Sequence, residues 1–185
     1  MGFLADQYYR HHCADTSSDI FEHLPVLRKY ALECPVIVEM GVRTVVSTWA
    51  LLHEGARVYS YDIAYEPNVK VCQGICAQEG LHWDYRLEST HTATLPEDPD
   101  FLFIDTFHSY DQVKGELLRH AHRAKRYIGF HDTVSFGEVG MDNKSPGIMK
   151  AITEFLEENS EWTVCHSAKN NNGLMILKFV GMEGV

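Results

Sequence analysis

A repeated alternation constrains this chain most: short runs of strand character, each ending at polar or acidic residues, separated by stretches of helical type. Val36–Met40 ends at Gly41, and Arg57–Asp62 closes on an acid. His82–Leu87 leads into Glu88 and Ser89, Phe101–Asp105 closes on a second acid, and Tyr127–Phe130 runs into His131-Asp132. Residues 45–54, 68–79, 109–125 and 147–158 read as helices, the second stopped by Gly80 and the third carrying Val113, Leu117, Leu118 and Ala121 at helical spacing. Such alternation predicts parallel βαβ units, with ligands bound at the carboxyl ends of the strands near the point where strand order reverses. The polar residues collect at those ends. Residues 162–166 and 174–179 read as a closing strand pair around the turn Asn170–Gly173, and a loop over 133–146 offers Gly137, Gly140 and Gly147 as hinges.

At 185 residues the chain has the size of one domain. Residues 1–34 form a helical lead-in, and residues 35–185 form the α/β unit. Ser18-Asp19 is expected to cap a helix carrying Ile20, Leu24, Leu27 and Leu32, with Pro25 in its first turns or breaking it. The formal charge of −10 argues against nucleic acid and anionic membrane as partners. No apolar run approaches the roughly 20 residues needed to span a bilayer. The five cysteines form no CxxC pair, which fits reduced thiols and a cytoplasmic setting.

Three constellations carry chemistry. Gly41, after the first strand, lets the backbone approach a ligand closely. Arg43 and Val46 stand where a dinucleotide cradle requires glycine, so a nucleoside without a pyrophosphate fits better. Asp62, about 20 residues on, is placed to accept hydrogen bonds from ribose hydroxyls. Asp105, His108, His131 and Asp132 bring carboxylates and imidazoles to neighbouring strand ends, a set able to hold Mg2+, Mn2+ or a similar divalent ion. His108 suits a general base. His11-His12 and His120/His122 read as surface residues. The Arg119, Arg123, Lys125 and Arg126 cluster reads as a cationic helix end.

The segment Glu39–Thr48 resembles motif I of class I S-adenosylmethionine (SAM)-dependent methyltransferases. More narrowly, Phe103–Tyr110 and Phe130–Thr133 resemble methyltransferase family 24, which includes macrocin-type sugar O-methyltransferases and relatives labelled cephalosporin hydroxylase. The resemblance covers residues 19–179. It implies a Rossmann-like, doubly wound sheet of seven strands, mostly parallel with an antiparallel last strand and helices on both faces. It implies that Glu39 and Gly41 border the methionine moiety of the cofactor, that Asp62 holds the ribose and that Glu88-Ser89 lie beside the adenine, with Ser47 also counted among the cofactor contacts. Asp105 counts with both the cofactor contacts and the catalytic pair it forms with His108, and Asp105, His131 and Asp132 stand at metal-ligand positions. Relatives often carry an acid or its amide at both residues of this position, and His131 departs from that pattern, which tells either against a metal or for a softer ion.

The expected activity is SAM-dependent O-methylation of a small hydroxylated acceptor, a sugar or natural product, assisted by Mg2+ or another divalent metal. Two alternatives remain open at the level of sequence: a metal-dependent hydroxylase or hydrolase on the same scaffold, and a non-catalytic nucleoside-binding module. The short cover available, residues 1–34 and the 133–147 loop, suggests a homo-oligomer in which a neighbour completes the site. Tyr8, Tyr9, Phe107, Tyr110 and Phe136 are candidates for an aromatic wall facing the acceptor.

Overall fold

A computed structural model of the chain describes residues 2–181; residues 1 and 182–185, the outer ends of the 1–34 and 35–185 segments, lie outside it. The first strand, β1 (Val36–Met40), is buried along its whole length. A strand buried on both faces needs cover on each, and the fold supplies it. Parallel to β1 lie β2 (Arg57–Asp62) on one side and β4 (Phe101–Ile104) on the other. Beyond them come β3 (His82–Leu87) and β5 (Tyr127–His131), also parallel. The antiparallel pair β6 (Trp162–Ala168) and β7 (Leu174–Phe179) closes the sheet, giving the order β3-β2-β1-β4-β5-β7-β6.

Successive β1 side chains pack into opposite layers, as pleating requires. Ile37 joins the core under the helices α1 (Phe3–Ala14), α2 (Leu24–Ala31), α3 (Val46–Leu51) and α4 (Pro67–Glu79). Val36, Val38 and Met40 join the core under α5 (Tyr110–His120) and α6 (Ile148–Glu158). Among the described residues no helix is long and apolar enough to cross a membrane.

Several local expectations shift. The lead-in holds two α-helices, and the second starts at Leu24, after a 3₁₀ turn over Phe21–His23, not at Ser18-Asp19. Pro25 sits in the first turn, where its missing N–H costs nothing. α1 is anchored from afar: the Leu4 and Ala5 amides donate to the Glu79 carboxylate at the end of α4, at 2.6 and 3.1 Å. The third long helix stops at His120 and tightens into a 3₁₀ turn over Ala121–Arg123. The glycines of the 133–147 loop sit in a closely packed turn. Gly147 packs directly on the carbonyl oxygens of Phe136 and Gly137, and the Met141 amide ties the loop to the His108 carbonyl at 2.8 Å.

The chain runs outward from β1 through β2 to β3, then returns across β1 to β4. Strand order therefore reverses between β1 and β4. The register pairs Met40 with both Tyr61 and Ile104, and Ile104 with Phe130. Gly41, Asp62, Asp105 and His131 consequently share one rim.

Candidate functional site

A cavity of about 380 Å³ opens on that rim. Its floor is the turn after β1. Gly41 has φ +88°, and any Cβ there would run into the Asp105 carbonyl. Arg43 and Val45 adopt φ +45° and +69°, conformations that cost non-glycine residues about 1–3 kcal/mol each. The turn is braced by Asp62, whose Oδ2 accepts from the Val42 and Arg43 amides at 2.8 and 2.9 Å and whose Oδ1 accepts from the Ala64 amide at 3.0 Å. A carboxylate offers about four lone-pair sites, so Asp62 keeps capacity for a ligand in the cavity it lines.

Glu39 is placed differently from expectation. It is 0% exposed and does not line the cavity. Its carboxylate accepts hydrogen bonds from the hydroxyls of Ser47 at 2.6 Å, Thr48 at 2.8 Å and Ser60 at 2.6 Å. Burial pushes its pKa up to about 7, against the pull of the three hydroxyls. Glu39 thus fastens α3 to β1 and β2 from behind the wall, while Gly41 and Ser47 face the cavity.

Glu88 and Ser89 line the far end, joined by residues the sequence reading passed over. Thr90 donates its hydroxyl to Glu116 at 2.6 Å, Thr106 does so at 3.0 Å, and the Gln112 amide donates to Glu116 at 2.7 Å. Glu116 is fully buried on the inner face of α5, and burial raises its pKa. His120 is buried too, its Nε2 2.7 Å from the Thr90 carbonyl, which corrects its reading as a surface residue. A sequence signal existed: Val113, Glu116, Leu117 and His120 fall on one helical stripe, so the acid and the imidazole interrupt a face that otherwise packs inward. Arg119 and Arg123 do not merely end the helix. They bond the carbonyls of Ala93 and Leu95 and hold the loop after β3.

At the other end His108, Asp105, Asp132 and His131 converge. His108 Nε2 stands 3.1 Å from Asp105 Oδ1 and 3.0 Å from Asp132 Oδ2. His131 Nδ1 lies 3.6 and 3.5 Å from the same two oxygens. Asp132 reaches this position from a left-handed backbone, φ +60°, at the end of β5. Burial alone would raise the Asp105 pKa, but the two imidazoles outweigh it and hold the group well below the carboxylate range. Burial opposes the charged form of His131, yet Asp105 and Asp132 drive its pKa up to about 10. His108 stacks flat on Phe136, ring centres 5.0 Å apart.

Possible ligand atoms of Asp105, His131 and Asp132 lie within 4.8 Å of one another. His131 Nε2 faces the Asn171 carbonyl at 3.3 Å, an acceptor that draws its proton there and turns the Nδ1 lone pair toward two carboxylates. Asp132 Oδ1 is buried without a hydrogen-bond partner. Electron pairs so arranged require a positive charge, either a proton on His131 or a cation. The donor set fits a divalent ion and, through its imidazole, a transition ion better than Mg2+.

Of the aromatic candidates only Phe107 lines the cavity. Tyr8 stacks on Trp49, Tyr9 lies under Arg28, and Tyr110 bonds Glu154.

No family model matches the sequence, and no curated protein matches it. Solved structures do. A Corynebacterium glutamicum protein superposes with a TM-score of 0.70 at 12% identity, covering 100% of this chain and 93% of its own. The N-methyltransferase NodS from Bradyrhizobium japonicum, in complex with S-adenosylhomocysteine (SAH), gives 0.62 at 12% identity over 96% and 99%. An O-methyltransferase from Bacillus cereus, also in complex with SAH, gives 0.60 at 17% identity over 97% and 91%. What these identities establish is the architecture: the chain has the Rossmann-like, seven-stranded fold found in these methyltransferases.

Proposed function

We propose that this chain is a SAM-dependent O-methyltransferase acting on a small hydroxylated acceptor. One observation carries the reading: a single cavity at the switch point runs from Asp62 and Glu88–Thr90, suited to a nucleoside, to Asp105 and His108, suited to deprotonating a hydroxyl. Two neighbours of the same fold were solved with SAH, the product such a reaction leaves behind.

The sulfonium methyl is electrophilic without help, so the enzyme must align an acceptor oxygen behind it and remove that oxygen's proton. The oxygen forms the new bond to the methyl carbon as the carbon–sulfur bond breaks, and SAH departs. In this chain Asp62 takes the ribose hydroxyls, and the Gly41 turn admits the methionyl portion. The carboxylates of Asp105 and Asp132 hold the His108 Nε2–H, fixing the tautomer in which Nδ1 carries the lone pair. Nδ1 is buried and has no hydrogen-bond partner in the protein, so it is the atom left to receive the acceptor proton once a bound acceptor reaches it. Asp105, His131 and Asp132 would hold a divalent ion, which when bound supplies Lewis-acid polarisation of the acceptor hydroxyl.

Incubation with methyl-labelled SAM and a panel of sugars, phenols and amines tests the proposal. Label is expected in a hydroxylated acceptor. SAH binding without transfer to any acceptor would leave a nucleoside-binding module in its place.

A further inference from the structure

The buried network at the far end of the cavity fixes the orientation of a side-chain amide, and with it a selectivity. Gln112 Nε2 lies 2.7 Å from Glu116 Oε1 and 3.2 Å from Thr90 Oγ1. The Thr90 hydroxyl spends its only proton on Glu116, at 2.6 Å, so toward Gln112 it can only accept. Glu116 receives a third donor, the Thr106 hydroxyl, on its other oxygen. Both neighbours of the Gln112 amide are therefore acceptors. Turning the amide over would set its oxygen against the Thr90 oxygen. Both amide hydrogens are committed, and Oε1 is the group left to the cavity that Gln112 lines.

We infer that Gln112 is a specificity-determining residue: its Oε1 accepts a hydrogen bond from the 6-amino group of the purine and rejects a purine carrying oxygen at that position. The inference rests on the SAM reading, which brings an adenine to Glu88–Thr90. An oxygen at C6 would face the Gln112 oxygen, acceptor against acceptor. To offer a donor the network would have to protonate Glu116 and turn the Thr90 hydroxyl together, within a buried cluster whose Thr90 carbonyl faces His120 at 2.7 Å. A site built to bond an N–H discriminates strongly against analogues that lack it.

Calorimetric titration of the 185-residue chain with SAH and with S-inosylhomocysteine, its 6-oxo analogue, reads the ratio of the two affinities. The native protein should prefer SAH by about tenfold or more. Gln112→Leu should bring the ratio to within about threefold of unity, mainly by weakening SAH. Glu116→Gln, which removes the obligate acceptor and lets the Gln112 amide turn, should also lower it; it serves if the first variant does not fold. The ratio is read within one protein, so a general loosening of the site lowers both affinities and leaves it in place. A ratio unaltered in a folded variant overturns the assignment of Gln112 alone. Binding of neither compound by the native protein overturns the cofactor reading and the assignment with it.

Discussion

Gly41 and the backbone of Asp105 lie so close that β1 and β4 meet at the cavity floor with no room for a side chain between them. Gly41→Ala must place a Cβ on the Asp105 carbonyl and hold alanine at φ +88°. A destabilisation of at least about 2 kcal/mol is expected, together with loss of SAH-induced thermal stabilisation. Gly55 provides the comparison: its φ is +84°, but a Cβ there meets nothing within 4 Å. Gly55→Ala should cost only about 1–2 kcal/mol and leave the SAH shift intact. Equal behaviour of the two variants would show that close approach at Gly41 plays no part.

Glu39 should make stability depend on pH. Its folded pKa of about 7 exceeds the ordinary 4.5, so the folded state holds a proton that the unfolded state gives up. That contribution is full below pH 4.5 and is lost as pH rises through about 7. The gap corresponds to roughly 3 kcal/mol. Urea unfolding of wild type and Glu39→Gln at pH 5 and pH 8 should show the variant gaining on wild type by about that amount at the higher pH. A constant difference would contradict the shift.

His108→Ala and Asp62→Ala should separate chemistry from binding. The first is expected to lower turnover by about 10²–10⁴-fold with SAH affinity nearly unchanged. The second should weaken SAH by about tenfold or more, through lost ribose contacts and a slackened Gly41 turn. Single-turnover rates and calorimetry check the two. The roles assigned here do not survive if His108→Ala loses cofactor instead.

Metal selectivity should follow His131. Mn2+ or Zn2+ is expected to bind the native protein more tightly than Mg2+, and His131→Asn should move the preference toward Mg2+. Calorimetry with each ion on the purified chain measures this without an assay. Undiminished Mn2+ binding in Asp105→Ala would remove the site.

The sheet was legible because each of β1, β2, β4 and β5 is a short strand-forming run ending at polar residues, and register then forces those ends onto one rim. Asp105, His108, His131 and Asp132 could be grouped from sequence for the same reason. Glu39 misled: an acid in a strand-end motif suggests ligand contact, but its neighbours Ser47, Thr48 and Ser60, decisive for its orientation, are visible as partners only in three dimensions. Gln112 and Glu116 were hidden in a helix read for its apolar positions. α1 went unnoticed as a separate helix because Glu79, which receives its first amides, lies 74 residues beyond Ala5.

The turn between β6 and β7 carries a consequence for how such a chain can change. The Asn170 and Asn171 carbonyls receive His23 Nε2, each at 3.0 Å, and the Asn171 carbonyl also faces His131 Nε2. The lead-in and the Asp105–His108–His131–Asp132 cluster thus share one attachment point. Exchanging this hairpin tip for one of another length should therefore disturb the anchorage of the lead-in and the setting of His131 together.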